Sequence, residues 1–433
     1  MAQDDKIFVW RAVAARSVMA SIQQAQHEMR RMNSAQTNGS YERVAIAPDT
    51  KPASDGDCAG CMRIISGNMI LCSLLIFVPL GIYAQQTAMS KEFVFGFNFM
   101  GIIPLAWLIG KATEDLAQQC GETAGGLLNA TFGNVVEMLL CVAGIQHNEI
   151  AVTKCTLIGS ILSNLLLVMG CAFLLGGCFH KEQSFSKLGA NIQVSIMCLS
   201  VLAIGLPTMA VMQTHDQPTG LLMSRVASVI LLLTYLGYIF FQLVTHSYIF
   251  ESEELNDDEE EAPADLSAIP AGVLLAVATV VTAVCTENLI GALEGAIKST
   301  GVSREFIGII LLPIIGNAAE HYTAVIVAMR NKMDLSLGVA AGSSCQMALF
   351  VAPFTVIAGW CMDKPMDLDF QPFQVGVLFL CVFMCSAILG NGQSNWLVGV
   401  MLVTAYLQVA LIYYYEPSSE TEGLLVDPIP PLD

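Results

Sequence analysis

Two stretches of this chain, GETAGGLLNATFGNVVEM at residues 121–138 and FIGIILLPIIGNAAEH at residues 306–321, read alike when one is slid onto the other. A shift of 183 positions, taking 133 to 316, brings Gly133, Asn134 and Glu137 onto Gly316, Asn317 and Glu320. The same shift, without a gap, puts Glu122 on Glu305, Gly125 on Gly308, Gly159 on Gly342, Ser160 on Ser343 and Ser163 on Gln346. One offset serving two consecutive apolar stretches in each half marks an internal duplication.

Outward from these motifs the chain is greasy. Of its 433 residues 55% are hydrophobic and 13% charged, against roughly 45–50% and about 25% in soluble proteins. The mean hydropathy of +0.62 agrees. A soluble fold needs a charged exterior that this composition cannot supply, which excludes a cytosolic enzyme, a nucleic-acid binder and a disordered scaffold. The formal charge of −18 opposes phosphate-rich polymers and favours a cationic ligand.

Apolar runs long enough to cross a bilayer as helix fall near 63–85, 93–111, 123–145, 152–177, 188–210, 221–245, 268–296, 305–328, 335–361, 372–390 and 395–415. No ten-residue alternating pattern appears, so the spans are helices and not barrel strands. The expected fold is an all-α polytopic membrane protein of eleven transmembrane helices, with no cofactor and with the lipid bilayer as its surroundings. Five spans separate a motif from its copy, and an odd number turns the second copy upside down. Inverted repeats of this kind carry their substrate site near the midplane. The first span has no counterpart and is an addition.

The domain layout follows. A polar tail, 1–62, holds an amphipathic stretch between Ile7 and Met32; the added helix is 63–85 and the first repeat 93–245. An acidic linker at 246–267 contains ESEELNDDEEE, with eight acidic side chains in eleven positions; the second repeat is 268–415 and a short tail 416–433. With the N-terminus in the cytosol, thirteen Lys/Arg lie on that side and six on the other, although without the long tail the counts are five and six. Most of the fourteen cysteines sit inside apolar runs and read as small buried hydrophobes, while Cys58 and Cys61 form one CxxC without a second pair.

Within each GNxxE, Asn and Glu stand at i and i+3 and project from one helical face. Gly133 and Gly316, with Pro313 in the second copy, weaken the helix and can free carbonyl oxygens. Hard cations take six to eight oxygens from carboxylates, amides and carbonyls, and two halves together can provide them. GSILSN adds Ser160, Ser163 and Asn164, and GSSCQ adds Ser343, Ser344 and Gln346. These hydroxyls serve either as ligands or as helix-to-helix hydrogen bonds.

An ionised carboxylate in mid-bilayer is costly, so Glu137 and Glu320 are functional by default. Burial and mutual repulsion favour the protonated form of an empty site, so protons and metal compete for the same oxygens. That competition is the minimum physics of antiport. His321 directly follows Glu320 and is either a satisfied core histidine or a proton-coupling group. Glu287 and Glu294, seven apart, read as one face of span seven and a possible ion path.

The two opening motifs, TLIGSILSNLLLVMG at 156–170 and GSSCQMALFVAP at 342–353 together closely resemble the signature regions of the CAX family, the vacuolar-type cation/proton exchangers of the calcium/cation antiporter superfamily. The resemblance spans about residues 63–415. It implies an eleven-helix exchanger fold, exchange of calcium, sometimes manganese or other divalent ions, for protons, and movement of metal from the cytosol into an acidic, vacuole-like store. It further implies that Glu137 and Glu320 are the metal-binding, protonatable glutamates, with Asn134, Asn317, Ser160, Ser343 and Gln346 around them. GNVVEM departs from the family by Val135 and Val136 where Ala-Thr is frequent, and NGQSNWLVGV at 391–400 is neutral at Gln393 and Val398 where charges are usual. A sodium/calcium exchanger and a cation channel are the competing readings. An ATP-driven pump is disfavoured because no GxxxxGK[ST] occurs.

Overall fold

Apolar runs that cannot leave backbone amides unpaired in lipid must close their hydrogen bonds internally, and this chain does so almost wholly in helices. The computed structural model describes residues 60, 62–64, 68–214, 217–250 and 264–415. These belong to one compact unit that begins at Ser54. The N-terminal amphipathic stretch, Cys58 and Cys61, the ESEELNDDEEE run and residues 416–433 lie outside the described residues.

In chain order the helices are α1 (Met69–Gln86), α2 (Lys91–Cys120), α3 (Glu122–Phe132), α4 (Val135–Gln146), α5 (Ile150–Phe179), α6 (Lys187–Thr214), α7 (Pro218–Thr245), α8 (Ala268–Gly291), α9 (Leu293–Thr300), α10 (Arg304–Gly316), α11 (Ala318–Met329), α12 (Met333–Cys361), α13 (Pro372–Leu389) and α14 (Trp396–Tyr415). Nine are each long and apolar enough to cross a membrane. The pairs α3/α4 and α10/α11 pass the same test jointly, bent by 41° and 58°. The described residues therefore hold nine such helices, or eleven crossings if each bent pair is one.

The expected third and eighth spans are thus each two helices. The break falls where the motif predicts weakness: Asn134 (φ −109°, ψ 19°) and Asn317 (φ −82°, ψ 14°) leave the α region at the same repeat position. The expected seventh span also ends early, at Gly291, and α9 is a separate helix. Besides the helices, Gln183–Ser184 and Gln393–Ser394 form a two-residue antiparallel ladder pairing Gln183 with Ser394.

Two large hydrophobic cores form among the described residues, beside two small clusters. One unites Ile102, Leu105 and Ile109 of α2, Val136 and Leu140 of α4, Cys285 and Leu289 of α8, and Leu312 and Ile315 of α10. The larger core gathers α5, α6, α7, α12, α13 and α14 around residues such as Phe173, Ile158, Leu349 and Leu402. At the end where Arg63 meets Asp265 (3.5 Å), here called the tail-side end, Lys111 bonds both Asp115 and Asp265 at 3.0 Å. There Leu266 N donates to the buried Asp115 (3.2 Å), and Gln119 Nε2 donates to Leu266 O (2.9 Å). At the opposite, far end Arg304 pairs with Glu149 (2.6 Å), Lys364 Nζ donates to Asn148 (2.6 Å), and Lys154 pairs with Asp367.

Candidate functional site

Each break puts a helix N-terminus inside the protein, with unpaired N–H groups and the positive end of the helix dipole beside a first-turn glutamate. Glu137 opens α4 and Glu320 opens α11. The asparagine before each does not cap its own helix. Its amide is used across the molecule instead.

The bonds exchange between repeats. Ser160 Oγ donates to Asn317 Oδ1 (2.8 Å), and Ser343 Oγ donates to Asn134 Oδ1 (3.2 Å). The offset that turns 160 into 343 also turns 134 into 317, so each contact is the mirror of the other. Asn134 Nδ2 further donates to Gln346 Oε1 (2.5 Å), Asn317 Nδ2 to Ser160 O (3.2 Å) and Asn164 Nδ2 to Ser343 Oγ (3.0 Å). Asn134 and Asn317 are each 1% exposed and Ser160 is fully buried. Buried polar groups of this kind are stable only when paired, and pairing them across the repeats fixes the two bent helices against α5 and α12.

Against that satisfied network the carboxylates stand out. Glu137 is 1% exposed, and neither carboxylate oxygen has a hydrogen-bond partner; Glu320 Oε2 is likewise buried and unpartnered. The two are close enough for the charge of Glu137 to act on Glu320. Buried carboxylate acceptors left open beside asparagines and serines that bond across the repeats are what a cation or proton site requires.

Glycine makes room for it. A Cβ at Gly316 would come within 2.8 Å of Glu137 Oε1, so the carboxylate of the first repeat lies against the motif glycine of the second. The reverse does not hold: a Cβ at Gly133 would meet Asn129 O at 2.7 Å, not Glu320. The site is also a seam, since Val136 belongs to one core and Cys141, one turn past Glu137, to the other.

Thus Glu137, Glu320, Asn134, Asn317, Gly316, Ser160, Ser343 and Gln346 come together, and Gly133 lies at the first break. Ser163 is buried but bonds to none of them. His321 is half-buried, and as the next helical residue after Glu320 it points about 100° away from it. Glu287 and Glu294 do not share a helix face. Glu287 lies on α8 and meets His147 Nε2 at 2.8 Å, while Glu294 lies on α9 beside Arg304 (3.4 Å) and Lys298 (4.0 Å). The spacing-based reading assumed a continuous helix, which Ala292 (φ −99°, ψ −5°) ends.

Asn164 is a participant that motif spacing grouped with the serines without giving it a partner. It lies in a π-helical turn, Ser163–Val168, that has a counterpart in α12 at Met347–Val351. Such wide turns gather at functional sites, but no residue type announces them. Among the described residues no three His, Cys, Asp or Glu side chains cluster as a metal site. A cation held here would therefore rest on two carboxylates and neutral oxygens, a hard-ion donor set.

A family model described as "Sodium/calcium exchanger protein" matches residues 92–244 and 271–415, more than half the chain. The gap between the two matches holds the acidic linker, and α1 lies before the first. A "Ca(2+)/H(+) antiporter" of Aphanothece halophytica is 43% identical over 369 residues, 82% of this chain and 98% of that protein. "Vacuolar cation/proton exchanger 2" of Arabidopsis thaliana is 41% identical over 362 residues, 81% of this chain and 82% of that one. Among solved structures, the Ca2+/H+ antiporter protein YfkE superposes with a TM-score of 0.70 at 31% identity, covering 80% of this chain and 99% of that one.

Proposed function

Since the chain belongs to the sodium/calcium exchanger protein family, we propose that it works as a calcium/proton antiporter whose exchange centre is the Glu137–Glu320 pair. It is an integral membrane protein and a secondary transporter, not an enzyme. The observation that carries the reading is the contrast within the site: Asn134, Asn317, Ser160, Ser343 and Gln346 bond across the repeats, while both oxygens of Glu137 and one of Glu320 are buried without a partner. Two negative charges cannot stay bare in such a place, so the site crosses either with calcium or with protons.

The finer reading extends this. The two repeats, 93–245 and 268–415, run inverted through eleven crossings, with α1 outside them and the acidic linker between them. Glu137, Glu320, Asn134, Asn317, Gly316, Ser160, Ser343 and Gln346 form the metal site. Gly133, Ser163 and His321 contribute to the bend and its surroundings, and the tail-side end faces the cytosol. Metal, whether calcium, manganese or another divalent ion, moves from there into an acidic compartment such as a vacuole. The swapped Ser–Asn bonds and the placement of Lys111, Asp115 and Asp265 apart from Glu149, Arg304 and Lys364 support that topology.

The test is calcium uptake into sealed vesicles with the internal pH recorded at the same time. Uptake should stop when the pH gradient is collapsed, and each pulse of calcium should alkalinise the acidic interior. Uptake that survives collapse and needs sodium would replace this reading with sodium/calcium exchange, and flux proportional to voltage alone would replace it with a channel.

A further inference from the structure

The wide turns of α5 and α12 stand at nearly the same repeat position, and each is met by the last helix of the opposite repeat. On the α12 turn the contact is a ring stack: Tyr235 of α7 lies on Phe350 with centroids 5.0 Å apart. On the α5 turn it is polar, since Tyr406 of α14 brings its hydroxyl into reach of Ser163.

Backbone packing fixes that meeting. α14 runs antiparallel to α5 across glycines, and small residues let membrane helices approach closely. A Cβ at Gly170 would come within 3.0 Å of Leu402 Cβ and Val403 N, one at Gly177 would strike the backbone of Trp396, and one at Gly399 would strike that of Leu174. Tyr406, one turn beyond Leu402, is thereby held opposite Ser163. Ser163 is 1% exposed and Tyr406 3%. Yet neither Ser163 Oγ nor Tyr406 Oη completes a hydrogen bond, and Asn164 Oδ1, on the next residue, is also buried and open. A buried hydroxyl without a partner costs stability, and a phenylalanine of the same shape would not carry that cost. Two such hydroxyls set face to face point to a bond made in another conformation.

The turn ties this pair to the exchange centre. Asn164 Nδ2 donates to Ser343 Oγ (3.0 Å), which donates to Asn134 Oδ1 (3.2 Å). At the repeat position of Ser163 the second copy has Gln346, whose amide oxygen accepts from Asn134 (2.5 Å). Serine is too short to repeat that reach, and Tyr406 stands beside it.

We propose that Tyr406 is a positioning residue of the exchange centre, whose hydroxyl bonds Ser163 in the calcium-holding conformation and fixes the turn that presents Asn164. It rests on the reading of Glu137 and Glu320 as that centre. A hard cation between two carboxylates takes further neutral oxygens, and Asn164 Oδ1 is an amide oxygen left open for it. As Asn164 is drawn to the ion, the adjacent Ser163 moves with it into the bond with Tyr406. That bond anchors the turn to α14, which the glycines hold still. Tyr406 touches neither carboxylate and acts through Ser163 and Asn164.

The experiment uses the full chain reconstituted in liposomes, with uptake measured against calcium concentration at a fixed pH gradient, and thermal melts of the detergent-purified protein with and without calcium. Y406F, which removes only the hydroxyl, should raise the calcium needed for half-maximal uptake about fivefold, as loss of one net hydrogen bond does. Its calcium-free melting temperature should equal or exceed that of the wild type, and the rise on adding calcium should shrink. S163A should raise half-saturation equally, and the double variant no more than either. Y235F, which keeps the stack on Phe350, should leave half-saturation unchanged. Wild-type half-saturation in Y406F or in S163A overturns the proposal. So does a calcium-free melting temperature of Y406F below that of the wild type, a double variant that sums the single effects, or an equal shift in Y235F. Wild-type uptake in both E137Q and E320Q would instead overturn the centre on which the pair depends, whatever Y406F does.

Discussion

The two copies of GNxxE share a bend, a cross-repeat serine and a first-turn glutamate, yet they are not in the same state. In the first copy the glutamate is buried and its carboxylate leans on the glycine of the second copy; in the second the glutamate is half-buried and its carboxylate does not return the contact. Related segments in unlike environments show that the duplication supplies the parts while packing decides what each does.

The largest effect should come from removing either charge. E137Q and E320Q should each lower calcium uptake more than about 100-fold, the scale of about 3–5 kcal/mol for breaking a buried charged arrangement, while protein still reaches the membrane. Tracer calcium uptake normalised to protein checks this. Normal uptake in one variant would mean that only the other copy carries the chemistry.

The glycines should separate the copies more finely. G316A puts a methyl group against the Glu137 carboxylate and should raise the calcium needed for half-maximal uptake about tenfold. G133A presses instead on the backbone of its own helix, and should lower the melting temperature of detergent-purified protein with little change in half-saturation. Equal effects on affinity would mean that the lean of Glu137 onto Gly316 has no consequence for binding.

The smallest effect should be at the serines. S160A removes one donor to Asn317, costing about 1 kcal/mol, whereas S343A leaves both Asn134 and Asn164 short of a partner and should cost about 1–3 kcal/mol. Thermal melts of the two variants decide it, and the reverse order would make the Ser160 side the stiffer anchor.

Much of this architecture was legible beforehand because hydropathy and duplication are properties of the chain itself. Most apolar runs match the helices to within a few residues; the exceptions are α1, which starts at Met69, α2, which extends to Cys120, and the expected seventh span, which ends at Gly291. The broken helices were foreshadowed by Gly133, Gly316 and Pro313, which weaken a helix without saying that it will bend. Partner choice was not legible. That Asn134 reaches Ser343 and Gln346, and not its own helix end, depends on how α3/α4 meets α12. Ser163 and Gln346 share a repeat position, but the long amide of Gln346 accepts from Asn134 while the short Ser163 hydroxyl makes no matching bond with Asn317, a matter of side-chain length in a particular packing. The pairing of Glu287 with Glu294 on one face failed for a related reason: a spacing of seven means one face only on an unbroken helix, and this one stops at Gly291, a residue that permits a break without requiring one.

The fastening of Asp265 and Leu266 to Lys111, Asp115 and Gln119 bears on engineering. Folded residues hold the entry of the second half against the first, so a designer wishing to loosen that joint can act on this clamp, by D115N or K111Q, without altering a residue of the exchange centre.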